Sequence, residues 1–154
     1  MAFLIFHGHL PNQQELDDYR KLLIANRELP ATLLEVLERI PASAHPMDVM
    51  RTGCSILGNL EPEGDFSNQQ QAADRLLGAL PGIINYWYRF SHDGVRIETA
   101  TDEPSLAGHF LRTLSGESPN ELHQRVMDTS LILYAEHEFN ASTFTARVCA
   151  STLS

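Results

Sequence analysis

The sequence predicts an all-α domain, and three features of its pattern support that prediction. Apolar residues recur every three or four positions over most of the 154 residues, which is the spacing of one helix face. Helix-start signals recur along the chain, where a capping residue or a proline precedes such a run. Strand signals are weak, because only 95–98 alternates apolar and polar residues, and does so briefly.

The first three predicted helices occupy the N-terminal part of the chain. Asn12 and Glu15 match a capping box, in which each side chain bonds the backbone of the other residue. Pro30 fits the first turn of a second helix and Pro46 that of a third. The N–H groups of a first turn have no partner within the helix, so a proline, which lacks an N–H, loses no hydrogen bond there. Apolar residues then recur in each segment: Leu16, Tyr19, Leu22 and Leu23; Leu33, Leu34, Val36 and Leu37; Met47, Met50, Cys54 and Leu57.

A long helix is predicted after Ser67 and Gln70, which repeat the capping pattern. Its apolar positions are Ala73, Leu76, Leu77, Leu80, Ile84 and Trp87. Pro81 lies within this run, and a proline inside a helix removes a hydrogen bond and crowds the preceding turn. We therefore expect a kink or break at Pro81. We also expect a turn at 91–94, where the sequence is Ser-His-Asp-Gly.

The C-terminal part contains further helix signals. A helix is predicted near 104–114, and the run Ser118-Pro119-Asn120-Glu121 predicts the start of the next one. In that run the serine caps, the proline takes the first helical position and the glutamate reaches back. This helix is predicted to extend through Leu133, and small hydroxyl residues after 141 indicate the start of another.

Composition and charge argue against several classes of function. The chain is 43% hydrophobic and 20% charged, which is ordinary for a soluble domain. It carries 11 basic against 20 acidic residues, a net charge of −9, and Lys21 is its only lysine. A phosphate backbone or an anionic membrane surface requires a basic face. We therefore expect no nucleic-acid partner and no membrane partner.

Neither a membrane span nor a disulfide scaffold is predicted. The longest apolar stretch, 76–88, contains Pro81 and Asn85 and is too short to cross a bilayer. Cys54 and Cys149 are far apart, whereas metal sites use close pairs and secreted scaffolds use more cysteines. We interpret both as core thiols in a reducing compartment and expect a cytoplasmic protein.

No catalytic or metal motif is complete in the chain. The pair His137-Glu138 begins a zincin motif, but Ala141 stands where the second histidine is required. There is no glycine-rich phosphate loop ending in Lys-Ser or Lys-Thr, and no Gly-x-Ser-x-Gly nucleophile elbow. We therefore predict no metal site and no complete catalytic constellation in these 154 residues.

The segment 133–143 carries the most chemical information. An apolar helix there runs into His137, which stands between Glu136 and Glu138 and should hold its proton firmly. Tyr134, three residues earlier, shares the histidine's helix face if the helix persists. Spacing alone favours a structural role, in which carbonyls at a helix end stabilise the imidazolium. Ligand binding by this histidine is the alternative.

Four segments resemble the citrate synthase family, in the order in which that family has them. Residues 134–145, YAEHEFNASTFT, resemble its substrate-histidine segment, and 45–53, HPMDVMRTG, resemble the start of one of its helices. Segments 86–94 and 107–111 lie between them and also match. Ordinary citrate synthases tend to have a histidine where this chain has Tyr134, so the chain more closely resembles the 2-methylcitrate synthases of the family.

The resemblance implies an all-α enzyme, usually a homodimer, in which this chain is part of the large domain. It implies condensation of propionyl-CoA with oxaloacetate and hydrolysis of the thioester, with no metal and no cofactor besides the CoA substrate. By position, His137 would hydrogen-bond oxaloacetate and Tyr134 would help to set substrate preference. Asn140 and Ser142 would line the same pocket, with helix capping as an alternative or additional role.

The resemblance also bears on assembly. The helices that begin near Pro46 and Ser67 match helices of the family's dimer interface. Tyr86, Trp87 and Tyr88 are therefore expected to be buried either at that interface or in the core of the single chain.

The resemblance covers 1–154 as one helical segment and implies truncation at both ends. The family continues with a loop bearing one catalytic histidine, then a second histidine, an aspartate and carboxylate-binding arginines, and none of these follows here. The resemblance therefore implies no catalytic residue in 1–154, and we expect no turnover by this chain alone. Two alternatives stay open: an ordinary citrate synthase that uses acetyl-CoA, and a non-catalytic helical module for dimerisation or binding.

Overall fold

The computed structural model describes residues 1–135 and 140–152, and every regular element in these ranges is helical. The prediction of an all-α chain is confirmed, and 95–98 forms no strand. No helix among the described residues is long and apolar enough to cross a bilayer. In chain order the elements are α1 Ala2–His7, α2 Gln13–Ala25, α3 Ala31–Glu38, α4 Pro46–Leu60, a 3₁₀ helix Phe66–Asn68, α5 Gln69–Asp93, α6 Leu106–Ser115, α7 Glu121–Leu133 and α8 Ala141–Ala150.

Helix α5 is the centre of the fold. It is 25 residues long, and α2, α3, α4 and α6 all pack against it. Because neighbours surround it, α5 buries polar positions as well as apolar ones, and these are hydrogen-bonded: Asp74 accepts from the Tyr19 hydroxyl at 2.7 Å, and Asn85 donates to Thr113 at 2.8 Å. The buried core comprises Leu29, Leu33, Leu37, Val49, Leu57, Ala79, Ile83, Tyr86 and Trp87.

Two of the predicted helix starts are confirmed at the level of single hydrogen bonds. Asn12 Oδ1 accepts from the N–H of Glu15 at 3.0 Å, and the Glu15 carboxylate accepts from the N–H of Asn12 at 2.8 Å, which completes the capping box. Pro46 is the first residue of α4, and His45 Nδ1 accepts from the N–H of Met47 at 3.2 Å. Pro30 instead stands immediately before α3.

Two predicted capping serines are wrong. Asn68, and not Ser67, precedes α5, because Ser67 hydrogen-bonds Asp65 through both its hydroxyl and its N–H. Asn120 caps α7, where its Oδ1 accepts from the N–H of His123 at 2.8 Å. Ser118 lies two residues before that cap, and its hydroxyl donates to the Glu103 carboxylate at 2.8 Å. In both cases the serine hydroxyl donates a hydrogen bond to a carboxylate and does not cap the helix that follows.

Helix α5 runs without interruption across Pro81 to Asp93, so the predicted break and the predicted turn at 91–94 are both wrong. The helix ends at Gly94, whose φ of 69° is left-handed and favours glycine. Packing from several neighbours stabilises the helix enough to retain a proline in its interior, a case of tertiary structure overriding local preference.

The aromatic run in α5 is divided between core and surface. Trp87 is 2% exposed and donates from Nε1 to the carbonyl of Ile40, and Tyr86 is 3% exposed and donates to the Glu38 carboxylate at 2.7 Å. Arg96 also binds Glu38, and these bonds lower the pKa of that carboxyl to about 2. Tyr88 is 42% exposed. Two of the three rings therefore belong to the core of the single chain.

A buried arginine organises the irregular segment 99–105, which we call the strap. Arg27 is 1% exposed, and its Nη1 donates to the carbonyls of Thr101 and Glu103, each at 2.7 Å. Its Nη2 donates to the carbonyl of Ser105 at 3.2 Å. Carbonyl oxygens thus replace the water that this charge loses on burial.

The strap in turn holds α7 against the rest of the fold. Ser105 Oγ accepts from the N–H of Gly108, which caps α6, and also from the Gln124 side chain of α7 at 3.0 Å. The bond from Ser118 to Glu103 fixes the approach to α7. Arg27 therefore connects, through the strap, to the helix that leads into the candidate substrate segment.

His109 is buried beside this arginine. Its side chain is fully buried, and its Nδ1 lies 2.9 Å from the Thr101 hydroxyl. Burial and the Arg27 charge lower the pKa of His109 to about 4, so the ring is neutral at pH 7.

The close approach of α4 to α5 yields a stability prediction. A Cβ on Gly53 would lie 2.4 Å from Ile83 Cγ2, which is too close for any real contact, whereas a Cβ on Gly58 of the same helix meets nothing within 4 Å. We expect Gly53→Ala to lower the free energy of unfolding by about 1–3 kcal/mol. Gly58→Ala should raise it by about 0.5–1 kcal/mol through helix propensity. Urea midpoints measure both, and equal shifts would contradict the packing.

His109 yields a prediction of pH dependence. Because its folded pKa of about 4 lies below the unfolded value of 6.5, the unfolded state binds more protons between these values. The contribution of His109 to the free energy of unfolding is therefore fully present above pH 6.5. It is lost as the pH falls towards 4, at a slope of at most about 1.4 kcal/mol per pH unit. In urea titrations at several pH values, His109→Gln should flatten this slope and His123→Gln should not. An unchanged slope in His109→Gln would show that another group is responsible.

Candidate substrate-binding site

Tyr134 lies immediately after the last residue of α7. Its N–H donates to the carbonyl of Ser130 at 3.0 Å, which closes the last turn of the helix. Its side chain is 81% exposed, and that of Leu133 is 71% exposed. The phenol is thus held at a fixed helix end but has little covering in this chain.

The capping role of Asn140 is confirmed. Its Oδ1 accepts from the N–H of Thr143 at 3.0 Å, and its extended backbone, with φ −62° and ψ 132°, starts α8. Ser142 is the second residue of α8 and is exposed. Both residues therefore belong to the N-terminal turn of one helix.

His137 lies outside the described residues, together with Glu136 and Glu138. Its assignment as an oxaloacetate ligand stays a prediction. In sequence it falls between the last residue of α7, Leu133, and the first residue of α8, Ala141.

The N-terminal turn of α8 offers chemistry that suits a carboxylate. The first N–H groups of a helix have no partner within the helix and carry a partial positive charge. The exposed hydroxyls of Ser142 and Thr143 lie in the same turn and can donate hydrogen bonds. The end of α7, where Tyr134 lies, carries the opposite partial charge. An anionic ligand is therefore favoured on the α8 side of the junction.

Two clefts lie away from these residues. The larger, about 580 Å³, is lined mainly by α4, α5 and the loop that joins them, and the smaller, about 370 Å³, by residues of 97–116. Neither is lined by Tyr134, Asn140 or Ser142. Of the candidate residues that the structure describes, Tyr134 and Ser142 are exposed and Asn140 is partly buried.

Within 1–135 and 140–152, no group of three His, Cys, Asp or Glu side chains is arranged to hold a metal ion. Both cysteines are free thiols. Cys54 is partly buried, and burial raises the pKa of its thiol. Cys149 is exposed, so its assignment to the core is wrong, because α8 contains no buried residue.

Sequence reasoning missed the residues that attach the candidate site to the core. Arg27 and Thr101 are 74 positions apart, and no local pattern marks either of them. Gln124 reads as an ordinary polar residue on a helix surface. A buried arginine is rare enough to be informative, but only the folded chain shows that this one is buried.

Comparison with known proteins identifies the family. The profile of the citrate synthase C-terminal domain matches residues 1–154, the whole chain. This chain belongs to the citrate synthase family. The predicted resemblance is thereby confirmed.

Relatives named for citrate synthesis and for 2-methylcitrate synthesis both match this chain over its full length. It is 67% identical over 154 residues to a 2-methylcitrate synthase of Shewanella oneidensis, and covers 41% of that protein. It is 38% identical over 157 residues to a citrate synthase of Heyndrickxia coagulans, and covers 42% of it. The chain therefore spans about two fifths of the length of the relatives it matches.

Solved structures of the family share this fold. The citrate synthase of Pyrobaculum aerophilum is 33% identical with a TM-score of 0.83, over 99% of this chain and 41% of that one. The Thermoplasma acidophilum citrate synthase, solved as a ternary complex with carboxymethyl coenzyme A and oxaloacetate, is 24% identical with a TM-score of 0.87. It covers 99% of this chain and 40% of that one, and supports the fold.

Proposed function

We propose that this chain is part of a 2-methylcitrate synthase, in which propionyl-CoA, oxaloacetate and water give 2-methylcitrate and CoA. The 67% identity to the S. oneidensis 2-methylcitrate synthase, over every residue of the chain, carries this proposal. Identity to the H. coagulans citrate synthase is 38% over a similar length. The chain therefore shares many more residues with the relative that is named for the methylated product.

In this proposal the chain supplies the oxaloacetate side of the active site. His137 hydrogen-bonds oxaloacetate, and the N-terminal turn of α8, with Asn140 and Ser142, favours its carboxylates. Tyr134, held at the end of α7, contributes to the choice of acyl group. Proton removal from the propionyl α-carbon needs acid–base groups, and we assign no such catalytic residue to this chain.

An ordinary citrate synthase, which uses acetyl-CoA, is the second candidate. Relatives that are named as citrate synthases support it. One example is a Bacillus subtilis citrate/2-methylcitrate synthase, which is 35% identical over 155 residues. Propionyl and acetyl groups differ by one methylene, and a pocket distinguishes them by about 1–3 kcal/mol. A few residues can set such a difference, so enzymes of either preference can share most of this segment.

Assembly and location belong to the same proposal. A homodimer formed through α4 and α5 is supported by exposed apolar side chains on both helices: Met47 is 64% exposed and Tyr88 is 42% exposed. A cytoplasmic location is supported by the free thiols of Cys54 and Cys149. A role in propionate metabolism follows from the proposed propionyl-CoA substrate and has the same support, the identity to the S. oneidensis 2-methylcitrate synthase.

The first test replaces the matching segment of the S. oneidensis 2-methylcitrate synthase by this chain, and we call the product the chimera. We expect the chimera to show a higher kcat/KM for propionyl-CoA than for acetyl-CoA when CoA release is followed with oxaloacetate present. A preference for acetyl-CoA would support the ordinary citrate synthase instead. Tyr134→His in the chimera should reduce the propionyl preference. The 154-residue chain alone, the background control, should show no turnover.

The second test separates substrate binding from helix capping. In the chimera, we expect His137→Ala to raise the KM for oxaloacetate at least tenfold, because a hydrogen bond to a charged ligand is lost. His123→Ala, near the start of α7, is the matched control and should change neither KM nor kcat.

Asn140 is tested in the same way. Asn140→Asp keeps a capping oxygen, so Tm should hold while the added charge raises the KM for oxaloacetate. Asn140→Ala removes the cap and should cost about 1 kcal/mol of stability. If Asn140→Asp leaves the KM unchanged, Asn140 caps α8 but does not face the substrate.

A further inference from the structure

The smaller of the two clefts lies between the strap and α6. It has a volume of about 370 Å³ and is lined by 97–98, by 100–102 of the strap, and by 112–113 and 116 at the end of α6. We call it the strap cleft. Small-molecule sites in proteins occupy about 300–1,000 Å³, so the strap cleft is large enough for a small ligand.

The strap wall of this cleft is held in place from inside the protein. Arg27 Nη1 donates to the carbonyls of Thr101 and Glu103, each at 2.7 Å, so the backbone on both sides of Asp102 is anchored. The Thr101 hydroxyl also lies 2.9 Å from Nδ1 of the buried His109. Asp102 is exposed and lines the cleft. Its carboxylate is therefore attached to a fixed piece of backbone.

The α6 wall is also attached to the core. Thr113 is buried, and its hydroxyl accepts from Asn85 of α5 at 2.8 Å and donates to the carbonyl of His109 at 2.8 Å. Gly116 ends α6 with a left-handed φ of 84°. Because both walls are anchored, the cleft is formed without a ligand, and binding requires little further ordering of the protein.

The strap cleft contains charges of both signs that do not neutralise one another. Arg112 is partly buried, and Glu98 and Asp102 are exposed. Within 1–135 and 140–152, the Arg112 guanidinium has no hydrogen-bond or ion-pair partner, although both carboxylates line the same cleft. A guanidinium presents its N–H donors in a planar fork that matches a carboxylate. Arg112 is therefore available to a ligand.

The arginine of the larger cleft, in contrast, is already engaged. Nε and Nη2 of Arg75 bind the two carboxylate oxygens of Glu61 at 2.8 and 2.9 Å, and Nη1 donates to the carbonyl of Asn26. A ligand carboxylate would have to displace Glu61 there. In the strap cleft it would displace only water.

The charges around the strap cleft indicate the class of ligand. Arg112 favours a carboxylate, which it can bind through two parallel N–H···O bonds. Glu98, Asp102 and the partially negative C-terminal end of α6 favour ammonium groups. The net charge of −9 also attracts cations. A small molecule with one carboxylate and two ammonium groups matches all of these features.

We propose that the strap cleft binds a basic amino acid, whose α-carboxylate pairs with Arg112 and whose ammonium groups pair with Glu98 and Asp102. These three residues are not among those assigned to oxaloacetate. The proposal does not depend on whether the acyl donor is propionyl-CoA or acetyl-CoA.

Titration calorimetry of the chimera with L-lysine at low ionic strength tests this site. We expect a dissociation constant of about 1 mM or lower, because the ligand is small but the cleft is preformed. Cadaverine, which is lysine without its carboxylate, should bind at least about tenfold more weakly, since it leaves Arg112 unpaired.

Substitutions in the chimera then locate the binding. Arg112→Gln should weaken L-lysine binding at least about tenfold and leave cadaverine binding unchanged, so that the two ligands become nearly equal. Glu98→Gln combined with Asp102→Asn should weaken the binding of both. Arg39→Gln and Glu35→Gln make the same charge changes at exposed positions of α3 and its C-terminal end. These controls should leave the binding of both ligands unchanged, and circular dichroism checks the folding of every variant.

Three results would overturn the proposal. The first is the absence of both binding heat and a rise in Tm at about 10 mM L-lysine. The second is equal affinity of the unsubstituted chimera for L-lysine and cadaverine, a comparison that remains decisive if Arg112→Gln fails to fold. The third is unchanged L-lysine binding by a folded Arg112→Gln chimera. Binding is measured without turnover, so failure of the proposed 2-methylcitrate synthase activity is distinguishable from failure of this site.

Discussion

The burial of α5 by four other helices is the constraint on which the rest of the structure depends. Its side chains fill the centre of the core, and α4 approaches so closely at Gly53 that the side chain of Ile83 occupies the space of a Cβ. Gly78 allows the backbone at Asn26 to approach in the same way on another side. Because interiors are packed as densely as molecular crystals, this arrangement keeps α5 helical even through Pro81.

A second layer of interactions, which is polar, extends from this core towards the candidate site. Arg27 replaces its lost hydration with carbonyls of the strap, and the strap bonds α7 through Ser105 and Glu103. Moving this buried charge would cost free energy, because its N–H donors would lose the carbonyl oxygens without gaining water molecules in their place. The position of α7, and so of Tyr134 at its end, is therefore tied to the interior of the fold.

The candidate site itself could be predicted only in part. The residues at 134–142 stood out because a histidine between two glutamates, followed by asparagine and serine, is unusual in an apolar helical context. The capping role of Asn140 followed from residue type and was confirmed. The exposure of Tyr134 and the attachment of α7 to the strap could not be predicted, because the contacts that attach α7 join residues 15 and 19 positions apart.

By itself, the sequence determined the helical class, the capping box at Asn12, the start of α4 at Pro46 and the family. The first three depend on residues within a few positions of one another. The family depends on several short motifs that occur in the same order as in its other members. Only the tertiary structure decided that Pro81 stays inside a helix, that Ser67 and Ser118 bond carboxylates and do not cap, and that Arg27 is buried. The physical reason is the same in each case. Local preferences amount to about 1–3 kcal/mol, and contacts between distant segments outweigh them once the core has formed.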